Sequence, residues 1–150
     1  MIRALVLSTL ILCLAGWQAP GGVAGEPKHP HMHHALRELR EARTELKEAS
    51  HDFGGHRIKA LEAVDAAIKQ IDVALKGAKD TIKTPLKVDA DMYKKYKHHP
   101  HIHHAIHELK EARTELKEAK HDFDGHRAAA LKDTNAAIEQ LELCLKFAAK

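Results

Sequence analysis

Residues 30–57 read PHMHHALRELREARTELKEASHDFGGHR, and the spacing of their apolar side chains decides the fold. Met32, Ala35, Leu39, Ala42, Leu46, Ala49 and Phe53 recur at alternating steps of three and four. This is the a and d pattern of a heptad, and it lines one face of an α-helix. Pro30 suits the first helical position, where its missing N–H is no loss. Residues 100–127 repeat the stretch as PHIHHAIHELKEARTELKEAKHDFDGHR, with Ile102, Ala105, Leu109, Ala112, Leu116, Ala119 and Phe123 on the same frame.

The likeness extends further. Laying residues 29–78 on 99–148 gives 32 identities in 50 positions at a fixed offset of 70, so the chain holds two copies of one unit. Each copy continues into a second apolar stripe. Leu61, Val64, Ile68, Ile71, Leu75 and Ala78 are flanked by Ala60, Ala67 and Ala74; the other copy has Leu131, Thr134, Ile138, Leu141, Leu145 and Ala148, flanked by Ala130, Ala137 and Cys144. Between the stripes both copies carry HDF, one variable residue, then GHR. Gly55 and Gly125 there suit the left-handed residue that closes a helix, so each unit is expected to turn back as a helical hairpin.

One hairpin cannot cover both of its stripes, but two can cover each other. The expected fold is therefore all-α, an antiparallel four-helix bundle made of two tandem hairpins, with the alanines permitting close helix approach. Repeat 1 spans 29–78, a linker 79–98 and repeat 2 99–148. Pro85 breaks the linker and VDADMYKKYK (88–97) can form a short helix. The linker length leaves two arrangements open: the two histidine-rich helix starts share one pole, or a crossing linker puts them at opposite poles.

The N-terminus bears on compartment. Arg3 followed by ALVLSTLILCLA (4–15) is a hydrophobic run too short to span a bilayer. It reads as a secretory signal over 1–25, cleaved after Ala24 or Gly25, with 26–150 as a single helical domain, periplasmic or secreted and without stable membrane insertion. Cys144 is then the only mature cysteine, so no internal disulfide is available. The net charge of +3 is too balanced for nucleic acid or a membrane surface. The absence of Cys-x-x-Cys-His speaks against attached haem, and no nucleophile is set beside a base and an orienting partner, so an enzyme is not expected.

What remains is histidine. Ten of the fourteen histidines lie at the starts of the two repeats. On the leucine frame His31, His34 and Glu38 share one stripe at i, i+3 and i+7, and His101, His104 and Glu108 repeat it, which suits zinc, copper(II) or nickel. The positive helix end repels a cation, and the carboxylate one turn inward offsets that. His29 and His33 accompany the first stripe; His99, His103 and His107 accompany the second, with His103 and His107 a further i, i+4 pair. The stripe continues through Glu41, Glu45 and Glu48, and through Glu111, Glu115 and Glu118, which taken alone reads as a solvated face. Glu48 with His51, and Glu118 with His121, match the Glu-x-x-His of di-iron bundles, but the frame turns them to solvent.

This exported, histidine-rich, four-helix design over residues 29–150 resembles the small periplasmic metal-binding proteins of bacteria. The resemblance implies binding of copper, nickel or zinc and a role in buffering or scavenging. One departure is that the histidines here cluster at helix starts. The ELKEARTELKEA...HDFxGHR module also looks like one in exported bacterial proteins from which no function carries over. The expected function is sequestration of divalent transition metals; the alternative is a non-catalytic helical interaction or scaffold module whose histidines respond to pH.

Overall fold

The structure, a computed structural model, describes residues 27–81 and 98–150. The signal segment expected over 1–25 and the short helix expected within 88–97 both lie outside the described residues. Four helices carry the fold: α1 (Pro30–Glu48), α2 (His56–Gly77), α3 (Pro100–Glu118) and α4 (His126–Ala148). No helix among the described residues is long and apolar enough to cross a membrane.

The heptad stripes form the core. Met32, Leu39, Leu46, Val64 and Ile71 are fully buried, as are Ile102, Leu109, Leu116, Leu141 and Cys144. Phe53 is buried and Phe123 partly so. Leu61, Leu131 and Leu145 pack against the core from its edge. Ala148, at the last turn of its stripe, is exposed.

The hairpin turn differs from the expected helix closure. α1 ends at Glu48, and Ala49 is already extended with φ −61° and ψ 124°. The left-handed residues come later. Gly55 and Gly125, at φ 86° and 90°, stand immediately before α2 and α4 and start those helices. Phe53 and Phe123 also take a positive φ of 53°, which a bulky residue adopts only when its surroundings hold it. The surroundings here are apolar packing on the core and an arginine. Arg57 Nη1 donates to Leu46 O at 2.8 Å, and Arg127 Nη1 donates to Leu116 O at 3.0 Å, each satisfying a carbonyl that the helix end leaves open.

The closest helix pairs join the repeats to each other: α1 packs on α3 and α2 on α4. Alanine explains it, since Ala35, Ala42, Ala105, Ala112, Ala60, Ala67, Ala130 and Ala137 are all fully buried and small side chains let backbones approach. Across α2 and α4, His56 Nδ1 pairs with Gln140 Oε1 at 3.0 Å and His126 Nδ1 with Gln70 Oε1 at 2.7 Å. Because these two contacts are the same contact with the repeats exchanged, the halves are related by an approximate two-fold axis.

That symmetry settles the arrangement of poles. His29 lies against Phe123 and His121 of the second turn, while His99 lies against Phe53 and His51 of the first. The two histidine-rich starts are therefore at opposite poles; α2 ends at the His29 pole and α3 begins at the other. Both α1–α3 and α2–α4 run antiparallel, a bundle with one crossover connection.

Candidate metal centres between the repeats

Antiparallel packing of α1 on α3 lays the histidine start of each helix against the acidic end of the other. His31 Nδ1 lies 2.8 Å from Glu115 Oε2 and 3.7 Å from Glu118 Oε2, and His34 Nδ1 lies 3.6 Å from Glu115 Oε1. The other end repeats this. His101 Nδ1 is 2.8 Å from Glu45 Oε2 and 3.9 Å from Glu48 Oε2, and His104 Nδ1 is 2.9 Å from Glu45 Oε1. In each group one histidine and two carboxylates offer ligand atoms all within 4.8 Å of one another: His31, Glu115 and Glu118 in one, His101, Glu45 and Glu48 in the other.

These groupings differ from the sets expected within one helix. His31 and His34 stay together but turn to Glu115 of the other repeat, and Glu38 belongs elsewhere. The reason is lateral: α3 runs antiparallel beside α1 and sets Glu115 2.8 Å from His31 Nδ1 and 3.6 Å from His34 Nδ1. The i, i+3, i+7 pattern placed His31 and His34 on one face and could not reveal what would face them.

Glu38 and Glu108 meet at the middle of the same interface, together with Glu41, as three buried carboxylates with oxygens within 4.8 Å. The acidic stripe is thus not a plain solvated face: Glu38, Glu41, Glu45 and Glu108 are buried, whereas Glu111, the counterpart of Glu41, is exposed. Burial and the hydrogen bond to Glu38, reinforced by the charges of Glu38, Glu41 and Glu111, push the Glu108 carboxyl up to about 9. Burial also acts on Glu38, but the hydrogen bond from Glu108, the adjoining Arg37 guanidinium and the charge of His34 outweigh it and hold Glu38 below its ordinary value. Arg37 Nε donates to Glu38 Oε1 at 2.9 Å. Its counterpart in repeat 2 is His107.

The remaining histidines of the starts separate. His33 and His104 are buried. His33 Nε2 is 3.2 Å from Asp80 Oδ1, and Asp80 Oδ2 accepts the His29 N–H at 2.9 Å, so Asp80 pins the start of α1 to the end of α2. Lys150 holds the matching place in repeat 2. His104 is enclosed between Glu45 and Glu108, with Nε2 3.2 Å from Glu108 Oε1. His103 and His107 line a groove of about 300 Å³ between α3 and α4 with Glu142, and burial followed by the charge of His99 lowers the His103 pKa. His29 and His99 sit at the poles. Glu48, His51, Glu118 and His121 are exposed, which leaves no inward-facing Glu-x-x-His.

Residues that the sequence reading treated as a plain acidic face, Glu45, Glu48, Glu115 and Glu118, are those the fold brings to histidine. One signal was available: read antiparallel, the His-x-x-His start of one copy complements the Glu-x-x-Glu end of the other. No family model, curated protein or solved structure matches the chain.

Proposed function

We propose that the chain is an exported protein that sequesters or buffers divalent transition metals, zinc, copper or nickel, at two equivalent centres between its repeats. One centre comprises His31, His34, Glu115 and Glu118; the other comprises His101, His104, Glu45 and Glu48. The observation carrying this reading is the convergence of His31, Glu115 and Glu118 within 4.8 Å, duplicated by His101, Glu45 and Glu48. Imidazole and carboxylate together suit these ions. The outer ligands remain reachable from solvent, with the His31 and His34 side chains 40% and 45% exposed, as a protein that loads and releases an ion requires.

Titration of the full chain with zinc, copper and nickel at pH 7.5 tests it. The expected stoichiometry at these centres is two ions, and His31→Ala with His34→Ala removes one while helix content is unchanged. Unaltered stoichiometry overturns the assignment.

The second reading is a helical interaction or scaffold module with pH-responsive histidines, and the direct His–Glu contacts across α1 and α3 favour it, because each imidazole already has a carboxylate partner. Protons and metal compete for the same lone pairs. A ligand that binds only the folded state raises its melting temperature, so metal centres predict a zinc-dependent rise at pH 7.5 that vanishes near pH 5. The alternative predicts a change of assembly between those pH values that zinc and chelator leave alone. Thermal melts and light scattering under the four conditions separate them.

A further inference from the structure

The approximate two-fold also creates a cleft at each pole, and the two clefts are not equal. One, of about 240 Å³, is lined by Lys28, His29, His31, Lys120, His121 and Phe123 among others. Its counterpart, of about 230 Å³, has Ser50, His51, Phe53, His98, His99 and His101 in the matching places. Where the first cleft has two lysines, the second has His98 and Ser50.

We propose that His51, His98 and His99 form an all-nitrogen cation site in this second cleft, taking a borderline transition ion such as copper(II) or nickel(II), distinct from the carboxylate-rich centres between the helices. Three features of the cleft carry it. The rings of His51 and His99 stand 5.9 Å apart between centroids and at 78°; two imidazoles binding one ion through nitrogens at about 2.0 Å hold their ring centres roughly 4.5 to 5 Å apart, so a closure of about 1 Å by side-chain rotation brings the pair onto one ion. His51 Nδ1 lies 2.7 Å from Ser50 Oγ; with Nδ1–H donating to this hydroxyl, the ring is oriented and Nε2 is left to bind the ion, as in metal-bound histidine whose second nitrogen has a hydrogen-bond partner. His99 is held at φ 50° and ψ 50°, a left-handed backbone costly for a side-chain-bearing residue and more so before Pro100. At the other pole, His29 takes φ −127°.

On this backbone His99 stands against His51 and against Phe53, whose ring centre is 5.0 Å away. The lysine-lined cleft keeps its own histidine pair, His29 and His121, at 5.5 Å. There two ammonium groups oppose a cation, and Lys28 stands in the place of His98.

Copper(II) binding to the full chain tests the site in a background where Glu45, Glu48, Glu115 and Glu118 are all Gln, which removes the carboxylates of the helix centres. The expected result is one tightly held copper per chain, with more than one imidazole nitrogen coupled to it in pulsed electron paramagnetic resonance. His51→Ala should weaken it by about tenfold or more; His121→Ala should not. Adding Lys28→His and Lys120→Ser should create a second copper site at the other pole. Copper affinity and nitrogen coupling unchanged by His51→Ala, or no copper held in the background chain, would overturn the proposal. Zinc stoichiometry of the otherwise unaltered chain, compared with its His31→Ala form, reports on the helix centres separately, so either reading can fail without the other.

Discussion

Glu38 and Glu108 occupy the same position of the two repeats and hydrogen-bond to each other across α1 and α3, yet their carboxyls are shifted in opposite directions. Equivalent residues can meet only near the axis that relates the halves. There, two buried carboxylates cannot both be ionised without mutual repulsion, and one difference between the repeats decides which keeps the proton. Arg37 adjoins Glu38 and holds it ionised, whereas His107 stands in the matching place beside Glu108. Glu108 therefore donates and Glu38 accepts.

Replacing Glu108 by Gln mimics its protonated form. Because the folded-state pKa is raised from 4.5 to about 9, the stability linked to this proton is fully present below pH 4.5 and lost as pH rises through 9. The Glu108→Gln chain should match the parent in melting temperature near pH 4 and exceed it increasingly toward pH 9, by on the order of 5 °C. Thermal melts across that range check it; a constant difference would refute the proton assignment.

Each proposed centre takes ligands from both repeats, so Glu115→Gln should reduce zinc binding at the His31 centre although the two residues lie 84 positions apart. Combining Glu115→Gln with His31→Ala should cost little more than either alone, because both disable one site. Calorimetric titration of the two single variants and the double decides it; additive losses would mean that the residues bind separate ions.

Leu46 and Leu116 are fully buried at matching positions. Leu46→Ala should destabilise the bundle by about 2 to 5 kcal/mol, and Leu116→Ala by a similar amount. Urea unfolding measures both. A loss below about 1 kcal/mol at either would contradict a shared core.

A chain limited to residues 29–78 retains one hairpin and exposes the alanine faces of α1 and α2. It should be unfolded when dilute and dimeric when concentrated, since a second copy can take the place of repeat 2 and rebuild the two-fold with true symmetry. Sedimentation equilibrium with circular dichroism tests this. A stable monomeric hairpin would refute the two-hairpin core.

Much of this molecule was legible before folding was considered. Leu39, Leu46, Leu109 and Leu116 mark helix faces because the 3.6-residue period is a property of a single chain segment. The duplication then implied two hairpins, since neither could bury its stripes alone. Gly55 and Gly125 were correctly read as left-handed, although they begin the second helix of each unit and do not end the first. The His31 and His34 stripe was legible for the same reason as the leucines.

What faces that stripe was decided by tertiary structure. Helical periodicity assigns residues to faces but carries no information on which helix covers a face, or in which direction that helix runs. Those depend on alanines letting α1 approach α3 more closely than its own hairpin partner, and on the chain crossing from one pole to the other before repeat 2. Once α3 runs antiparallel to α1, Glu115 comes to His31, Glu45 to His101, and Glu38 to Glu108. Glu38, Glu41, Glu45 and Glu108, which look like part of an exposed acidic face in isolation, become buried in the seam of the bundle, because burial is a relation between segments that no single segment contains.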